Sequence, residues 1–284
     1  MDACRRVLAA GVLATLLAAV ALLAGCVATP GKQAASFGIV TFNLYHDKAD
    51  WPQRRALIVG ELRRLDPDVI VLQEVLQHET LRNQAEDLAE ALGYSVHFAS
   101  IDPPGHARRY GNAILTRHPI LARDWTPLRP LEDSRNAGWA RIDLGGRALN
   151  VYVTHPNYQS DDAGRRMRTQ QLADLQAFMA RTAGSAPSLV AGDFNTVSGK
   201  PELAALEAGH DNAYDALHGH ADPRPTLNPH YFPDDSRRID HVYLQRGALK
   251  PLEARIVLDR EGAPGVWPSD HFGVYVRFAF APAR

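Results

Sequence analysis

The sequence predicts a mixed α/β domain with sheets inside and helices outside. Three observations carry that reading. Short apolar runs of strand character recur along the chain and alternate with amphipathic helical stretches. Several runs follow each other closely enough to be hairpin neighbours, most clearly around Gly145-Gly146. No internal repeat or second composition class divides the chain, so strands and helices are expected to share one core.

Taken in order, Phe37 to Asn43 alternates like a strand. Pro52 opens a helix with Ile58, Leu62 and Leu65 on one face, and Asp66-Pro67 ends it. Asp68 to Glu74 is a dense apolar run, the pattern of a strand buried on both faces. A second helix places Leu81, Ala85, Leu88 and Leu92 together and stops at Gly93. Tyr94–Ala99 and Asn112–Thr116 read as strands, and Trp139–Leu144 with Arg147–Thr154 as a hairpin. A long helix covers Asp162 to Arg181 with Leu172, Leu175 and Met179 inward. Ser188–Ala191, Asp240–Leu244, Ala254–Leu258 and Gly273–Phe280 complete the strands. Residues 100–110, 121–137 and 218–236 read as loops that carry substrate choice, and His218, His220 and His230 fall in the last as part of a polar loop, with an accessory metal site as the alternative. Arg165, Arg166 and Arg168 at the start of the long helix read as a solvated face, with phosphate or lipid-headgroup contact as the alternative.

The first 25 residues are of another kind. Arg5-Arg6 heads an apolar run from Val7 to Ala24, the layout of a secretory signal peptide. The run stops at Leu23-Ala24-Gly25-Cys26, which resembles a bacterial lipobox. Cleavage before Cys26 and acylation of its thiol are therefore expected, with residues 26–36 as the lipidated cysteine and tether and residues 37–284 as the folded domain. Several acyl chains give stable membrane attachment where one does not. Val27 stands where an Asp favours inner-membrane retention in such lipoproteins, which points to the outer membrane of a Gram-negative envelope. A plain transmembrane anchor is the competing reading of the same run.

Composition narrows the chemistry. The chain of 284 residues has a formal net charge of −1 and no long run of one sign, which argues against a nucleic-acid coat protein. Its two cysteines, Cys4 and Cys26, both precede the expected domain, which therefore has neither a disulfide nor a thiolate metal site.

Polar residues fall at the strand ends. Asn43 ends the first strand, Glu74 the second, and His155 a hairpin strand; Asp193 and Asn195 follow a short one. Asp240 starts a strand, and Asp270-His271 immediately precedes the last. Each is a hard oxygen donor, an amide or an imidazole, and groups at strand termini can converge over one sheet edge.

The order Asn43, Gln73-Glu74, Gly111-Asn112, Thr154-His155, Gly192-Asp193-Phe194-Asn195, Asp240 and Ser269-Asp270-His271 resembles the endonuclease/exonuclease/phosphatase superfamily from Phe37 to Phe280. That resemblance implies a DNase I-like fold, a four-layer α/β/β/α sandwich of two packed mixed β-sheets flanked by helices. It implies metal-assisted attack of water on phosphorus. Glu74, Asn43 and Asp270 are then the metal ligands for Mg²⁺, with Mn²⁺ as a substitute and one or two ions left open. Asn43, Asn112, Asn195 and His155 would donate to phosphate oxygens. Asp193 would orient or deprotonate the water, His271 would be the acid/base group, and Asp240 would fix the His271 tautomer. Whether Asp193 or His271 is the general base stays open.

Each residue has an ordinary alternative: Asn43 and Asn195 as turn residues, Asp193 as a cap, Asp240 as a partner of Arg237 or Arg238, His271 as a core histidine. These would all have to hold at once. Four functions compete: a phosphodiesterase on a lipid headgroup or small phosphoester, an extracytoplasmic nuclease, a phosphomonoesterase, and a non-catalytic binding lipoprotein. The first is preferred, with a phosphoester substrate and the membrane as partners and a monomer expected. The inositol 5-phosphatase subgroup is disfavoured because Arg237 to Val242 lacks its Cys- and Trp-containing motif.

Overall fold

A computed structural model describes residues 35–282. The signal-peptide and lipobox readings, Cys26 included, fall outside the described residues. Among the described residues no helix is long and apolar enough to cross a membrane.

Two six-stranded mixed sheets stack face to face. One has the order β11-β12-β1-β2-β4-β3, built from β1 (Ser36–Asn43), β2 (Val69–Gln77), β3 (Ser95–Ala99), β4 (Arg109–Thr116), β11 (Leu249–Val257) and β12 (Gly273–Phe280). The other has the order β5-β6-β7-β8-β10-β9, from β5 (Ile120–Pro127), β6 (Asn136–Asp143), β7 (Ala148–Thr154), β8 (Ser188–Asp193), β9 (His210–Asn212) and β10 (Asp240–Gln245). One parallel pair lies at the heart of each sheet, β1 with β2 and β7 with β8; the other pairings are antiparallel.

The alternation of side chains sets the layers. In β2, Val69 and Val71 enter the core between the sheets, while Ile70 and Leu72 pack outward under α1 (Trp51–Leu65) and α2 (Gln84–Leu92). In β7 and β8, Val151 and Leu189 face the same inter-sheet core, and Tyr152 and Val190 face outward to Leu172, Leu175 and Phe178 of α3 (Asp162–Thr182). Both faces of the central strands are therefore dry, which is why their sequences are continuous apolar runs. The helices start and stop where their capping residues stand: Asp50 accepts the Gln53 N–H, Asp66 ends α1 in the left-handed region, and Gly93 does the same for α2.

The elements differ from expectation at a few places. The span expected to be a loop over 121–137 contains β5, an edge strand exposed along most of its length. Its sequence lacks apolar alternation because neither face is fully buried. The long loop from 194 to 239 contains the short α4 (Ala204–Glu207), β9 and α5 (Ala213–His218), too brief for periodicity to reveal. β2 runs three residues past Glu74, and a bulge between Leu72 and Val75 interrupts its register with β4.

Asp68, in the turn between α1 and β2, ties the ends of three strands together. Its Oδ2 accepts the Gly38 N–H (2.7 Å), and its Oδ1 faces Arg117 Nη2 (2.9 Å) and His118 Nε2 (2.7 Å). Burial works to raise this carboxyl, but the His118, Gly38 and Arg117 contacts outweigh it and hold it below the usual range. A depressed folded pKa stabilises the fold above the unfolded value and loses that contribution as pH falls through the folded one. Asp68→Ala is expected to cost about 3 kcal/mol at neutral pH. The stability gap to Asp68→Asn, read by denaturant melts, is expected to stay flat through neutral pH and shrink only below about pH 4. A gap that persists through strong acid would refute this role.

Candidate active site

Glu74, Arg135, His155, Asp193, Asn195, Asp270 and His271 line one cavity of about 290 Å³, with Tyr158, Leu227, Phe232, Asp235, Arg237 and Ile239 completing its lining. The strand ends thus bring together most of the residues expected from the sequence.

Asp193 lies at its centre. It ends β8, and the preceding Gly192 makes its position possible: a Cβ on Gly192 would lie 2.0 Å from the Thr154 carbonyl oxygen. Only glycine lets β7 and β8 approach this closely, with Thr154 and Gly192 in register. The next residue on each strand is functional, His155 on one and Asp193 on the other. Asp193 Oδ2 accepts Asn43 Nδ2 (3.1 Å), Oδ1 accepts the Asn195 N–H (2.9 Å), and His155 Nε2 is 3.4 Å from Oδ2. Burial alone would raise this carboxyl, yet the two histidines and these N–H donors hold it below the ordinary range.

His271 Nδ1 is 2.9 Å from Asp240 Oδ2, and its Nε2 is 3.8 Å from Asp193 Oδ2. Burial opposes its charge, but Asp240 and Asp193 overcome that and push its pKa up to about 10, so the ring is an imidazolium at neutral pH. Burial raises Asp240 to about 6, with the His271 charge pulling it back. Asp240 does not pair with Arg237 or Arg238: those arginines bind Asp235 (2.6 Å) and Asp215 (2.8 Å). His155 is the opposite case, driven down to about 3 by burial and by Arg135, so it is a neutral ring.

Glu74 reaches the cavity through a distortion. It sits at the β2 bulge with φ of 57°, in the left-handed region unfavourable to a side chain. A bulge re-aims a side chain, and strain of about 1–3 kcal/mol is typical of functional positions. Its carboxyl is raised by burial and by Asp270, while His46 and His271 pull it down. Asp270 is likewise raised by burial and by Asp193, against His271 and the Ser269 hydroxyl. The half-buried Glu74 and the buried Asp270 offer oxygen donors to one cavity, a donor set that fits a hard divalent ion keeping part of its water.

A tighter group exists in Asp193, Asp240 and His271, whose donor atoms lie within 4.8 Å of one another. Its closeness follows from the Asp240–His271 hydrogen bond. Glu74 and Asp270, on the same cavity, are the other candidate carboxylate donors.

Two of the expected asparagines are engaged by hydrogen bonds of their own. Asn43 is 1% exposed; its Nδ2 is spent on Asp193 and its Oδ1 on the Tyr45 N–H (2.9 Å). It holds the Asp193 carboxylate and is not among the residues that line the cavity. Asn112 donates Nδ2 to the carbonyl (3.0 Å) and Oδ1 (3.1 Å) of Asn136, behind the site, and does not line the cavity either. Asn195 does line it, with one amide contact to the Pro156 carbonyl (3.0 Å).

Sequence reasoning missed several contributors. Arg135 comes from the span read as a substrate loop. His46 Nε2 lies 3.8 Å from Glu74 Oε2. Arg54, fully buried, donates to the carbonyls of Leu44 (2.7 Å), Pro268 (2.9 Å) and His46 (2.7 Å), clamping the Asn43 loop to the segment that carries Asp270. A buried arginine bonded to carbonyls leaves no pattern in sequence, since Arg54 and the half-buried Arg55, which pairs with Asp87, look alike there.

A family model described as the Endonuclease/Exonuclease/phosphatase family matches residues 40–271. The uncharacterized protein YbhP of Escherichia coli is 28% identical over 236 residues, 76% of this chain and 87% of its own length. Nocturnin of Drosophila melanogaster is 26% identical over 276 residues, 82% of this chain but 42% of its own length. Among solved structures, Danio rerio TDP2 with a single-strand DNA product aligns with a TM-score of 0.71 at 20% identity, covering 86% of this chain and 99% of that one. These structural likenesses are of fold.

Because a Cβ at position 192 would force β7 and β8 apart, Gly192→Ala is expected to move Asp193 away from His155. Displacements of about 1 Å in such a site cost roughly 100-fold in turnover. Phosphodiesterase rates beside circular dichroism would show it; full activity in a folded Gly192→Ala would rule out the strand-approach argument.

Proposed function

The chain belongs to the endonuclease/exonuclease/phosphatase family, whose members are metal-dependent phosphoester hydrolases; from that premise we propose that it is a Mg²⁺-dependent phosphodiesterase held at the cell envelope, acting on a lipid headgroup or another small phosphodiester. The observation that carries the reading is the convergence of Asp193 and His271 with Glu74 and Asp270 on one cavity.

A divalent ion held by Glu74 and Asp270 would neutralise phosphate charge and stabilise the departing oxygen. Asp193 and His271 divide the remaining work by geometry. Their reactive atoms are 3.8 Å apart, too close to stand on opposite sides of a phosphorus undergoing in-line displacement. They therefore serve the same side. Asp193 Oδ2 takes the proton of the attacking water as its oxygen bonds to phosphorus and the ester P–O bond breaks. His271 keeps its proton and donates Nε2–H to a phosphoryl oxygen, with Asp240 fixing the ring through Nδ1. The neutral His155 and the charged Arg135 are placed to donate to phosphoryl oxygens as well.

Envelope attachment rests on the lipobox at Cys26 and the apolar run before it. An extracytoplasmic nuclease is the second reading. The observation favouring it is Tyr158, 67% exposed beside the catalytic cavity, a ring on which a nucleobase could stack. Rates on plasmid DNA and on phospholipid vesicles, at low and physiological salt, separate the two; nicking that collapses with salt, without headgroup release, selects the nuclease.

EDTA is expected to abolish hydrolysis of bis-p-nitrophenyl phosphate, with Mg²⁺ or Mn²⁺ restoring it. Glu74→Ala is expected to stay folded and inactive, and His271→Ala to lower kcat by about 10²–10⁴-fold with little change in KM. Turnover that survives both EDTA and Glu74→Ala would defeat the metal assignment. For the anchor, Cys26→Ser is expected to block labelling by a palmitate analogue and leave the precursor uncleaved; equal labelling would return the apolar run to a transmembrane reading.

A further inference from the structure

We propose that a second cleft, opening beside the catalytic cavity, is a subsite for a second phosphate carried by the same substrate. The inference rests on the phosphodiesterase reading and specifies the substrate class: a phosphodiester bearing an additional phosphate, not one with a single isolated anion.

The cleft has a volume of about 670 Å³ and lies between the first turns of α3 and the loop that follows β8. Asn195 and Arg237 line both it and the catalytic cavity, so the two spaces adjoin. A substrate seated at Asp193 can therefore extend into it.

Its charge is lopsided. Five cationic side chains, Arg165, Arg166, Arg168, Lys200 and Arg237, line it against two carboxylates. Both carboxylates are already engaged: Asp162 by Arg165, and Glu202 by Arg168 (3.3 Å) and the Thr196 hydroxyl (2.9 Å). Arg166 and Lys200 have no carboxylate partner among the described residues. A single exposed cation is unremarkable on a protein surface, but two unpaired ones lining one concavity focus a positive field on its interior. Guanidinium and ammonium together suit a phosphate, one as a planar fork and the other as a point charge.

The floor is built rather than loose. Arg168, read from sequence as part of a solvated face, is 3% exposed and donates Nη1 to the carbonyls of Asn157 and Gln159, in the segment that leaves His155. Its Nε has no hydrogen-bond partner. Gly164 packs against the same segment so tightly that a Cβ would lie 2.1 Å from the Gln159 carbonyl oxygen. The first turns of α3, which carry Arg165 and Arg166, are thus fixed to the segment after His155, and the cleft keeps its place relative to the catalytic centre.

The second phosphate could belong to a nucleotide or to a phosphorylated headgroup, and paired substrates separate these sources. One pair is the p-nitrophenyl ester of thymidine 5′-phosphate with and without a 3′-phosphate. The other is glycerophosphoinositol with and without a ring phosphate. With the full-length chain in detergent and Mg²⁺, the extra phosphate is expected to lower KM by about tenfold in at least one pair. In the Arg166→Ala/Lys200→Ala double variant, checked for folding by thermal melting, the two members of that pair should have the same KM. Turnover with no KM advantage in either pair, or an advantage that survives in the double variant, overturns the subsite and leaves the phosphodiesterase reading standing. If no substrate turns over, the hydrolase reading fails and calorimetry with pyrophosphate in EDTA decides the subsite alone. Binding by wild type that the double variant loses supports it; equal binding, or none by wild type, overturns it.

Discussion

The hydrogen bond from Asn43 to Asp193 crosses from one sheet to the other, and the rest of the site is arranged around it. Asp193 is almost fully buried, and an unpaired buried carboxylate would take up a proton rather than stay charged. Its donors come from two separate sheets. Asn43 arrives from the centre of one; the Asn195 N–H and the His155 ring arrive from the other. Once buried, this carboxylate keeps its charge because both sheets, stacked in one register, supply its donors. Catalytic competence is in this sense a property of the inter-sheet core, even though that core contributes no chemistry itself.

Around this bond the fold accepts local cost. Glu74 and Asn195 both hold left-handed backbone conformations, and β2 is broken by a bulge where Glu74 leaves it. Such distortions persist when the surroundings over-determine them. Arg54 supplies much of that rigidity by satisfying carbonyls of the loop after β1 and of the segment before Asp270. Its guanidinium makes those two excursions into one unit, so that Asp270 and Asn43, far apart in sequence, are fixed together; the Ser269 hydroxyl adds a bond to the Asn43 carbonyl (2.8 Å).

The order of polar residues at strand ends was legible because apolar runs mark the central strands and end abruptly where the cavity begins. Asp240 and His271 were paired correctly for the same reason: each flanks a readable strand. What could not be read was how each polar group spends its hydrogen bonds. Asn43 and Asn112 look like phosphate donors in sequence, but both have partners chosen by the packing of one strand against another. Arg135 was hidden in the irregular connection between β5 and β6, which gives no periodicity to detect. Arg168 was misread because helical spacing reports the face of a residue relative to its own helix; the loop that covers Arg168 comes from β7 and follows another strand's path.

Net charge illustrates the same gap between composition and structure. A formal charge of −1 suggests a surface with little preference among anions. The fold instead separates the signs. Glu74, Asp193, Asp240 and Asp270 are drawn to one point, where they raise the demand for a cation, while Arg166 and Lys200 are left unneutralised in the adjoining cleft. Attraction of an anionic substrate depends on the local field within about one Debye length, near 8–10 Å at physiological salt, and only weakly on the total. A near-neutral chain can therefore present two neighbouring sites of opposite sign. A substrate that bridges a bound divalent ion and the cleft meets favourable charge at both ends, whereas a compact single phosphate meets it only at the first. Selectivity then comes from the spacing of charge rather than its amount, and that spacing is set by how α3 is pinned to the segment after His155.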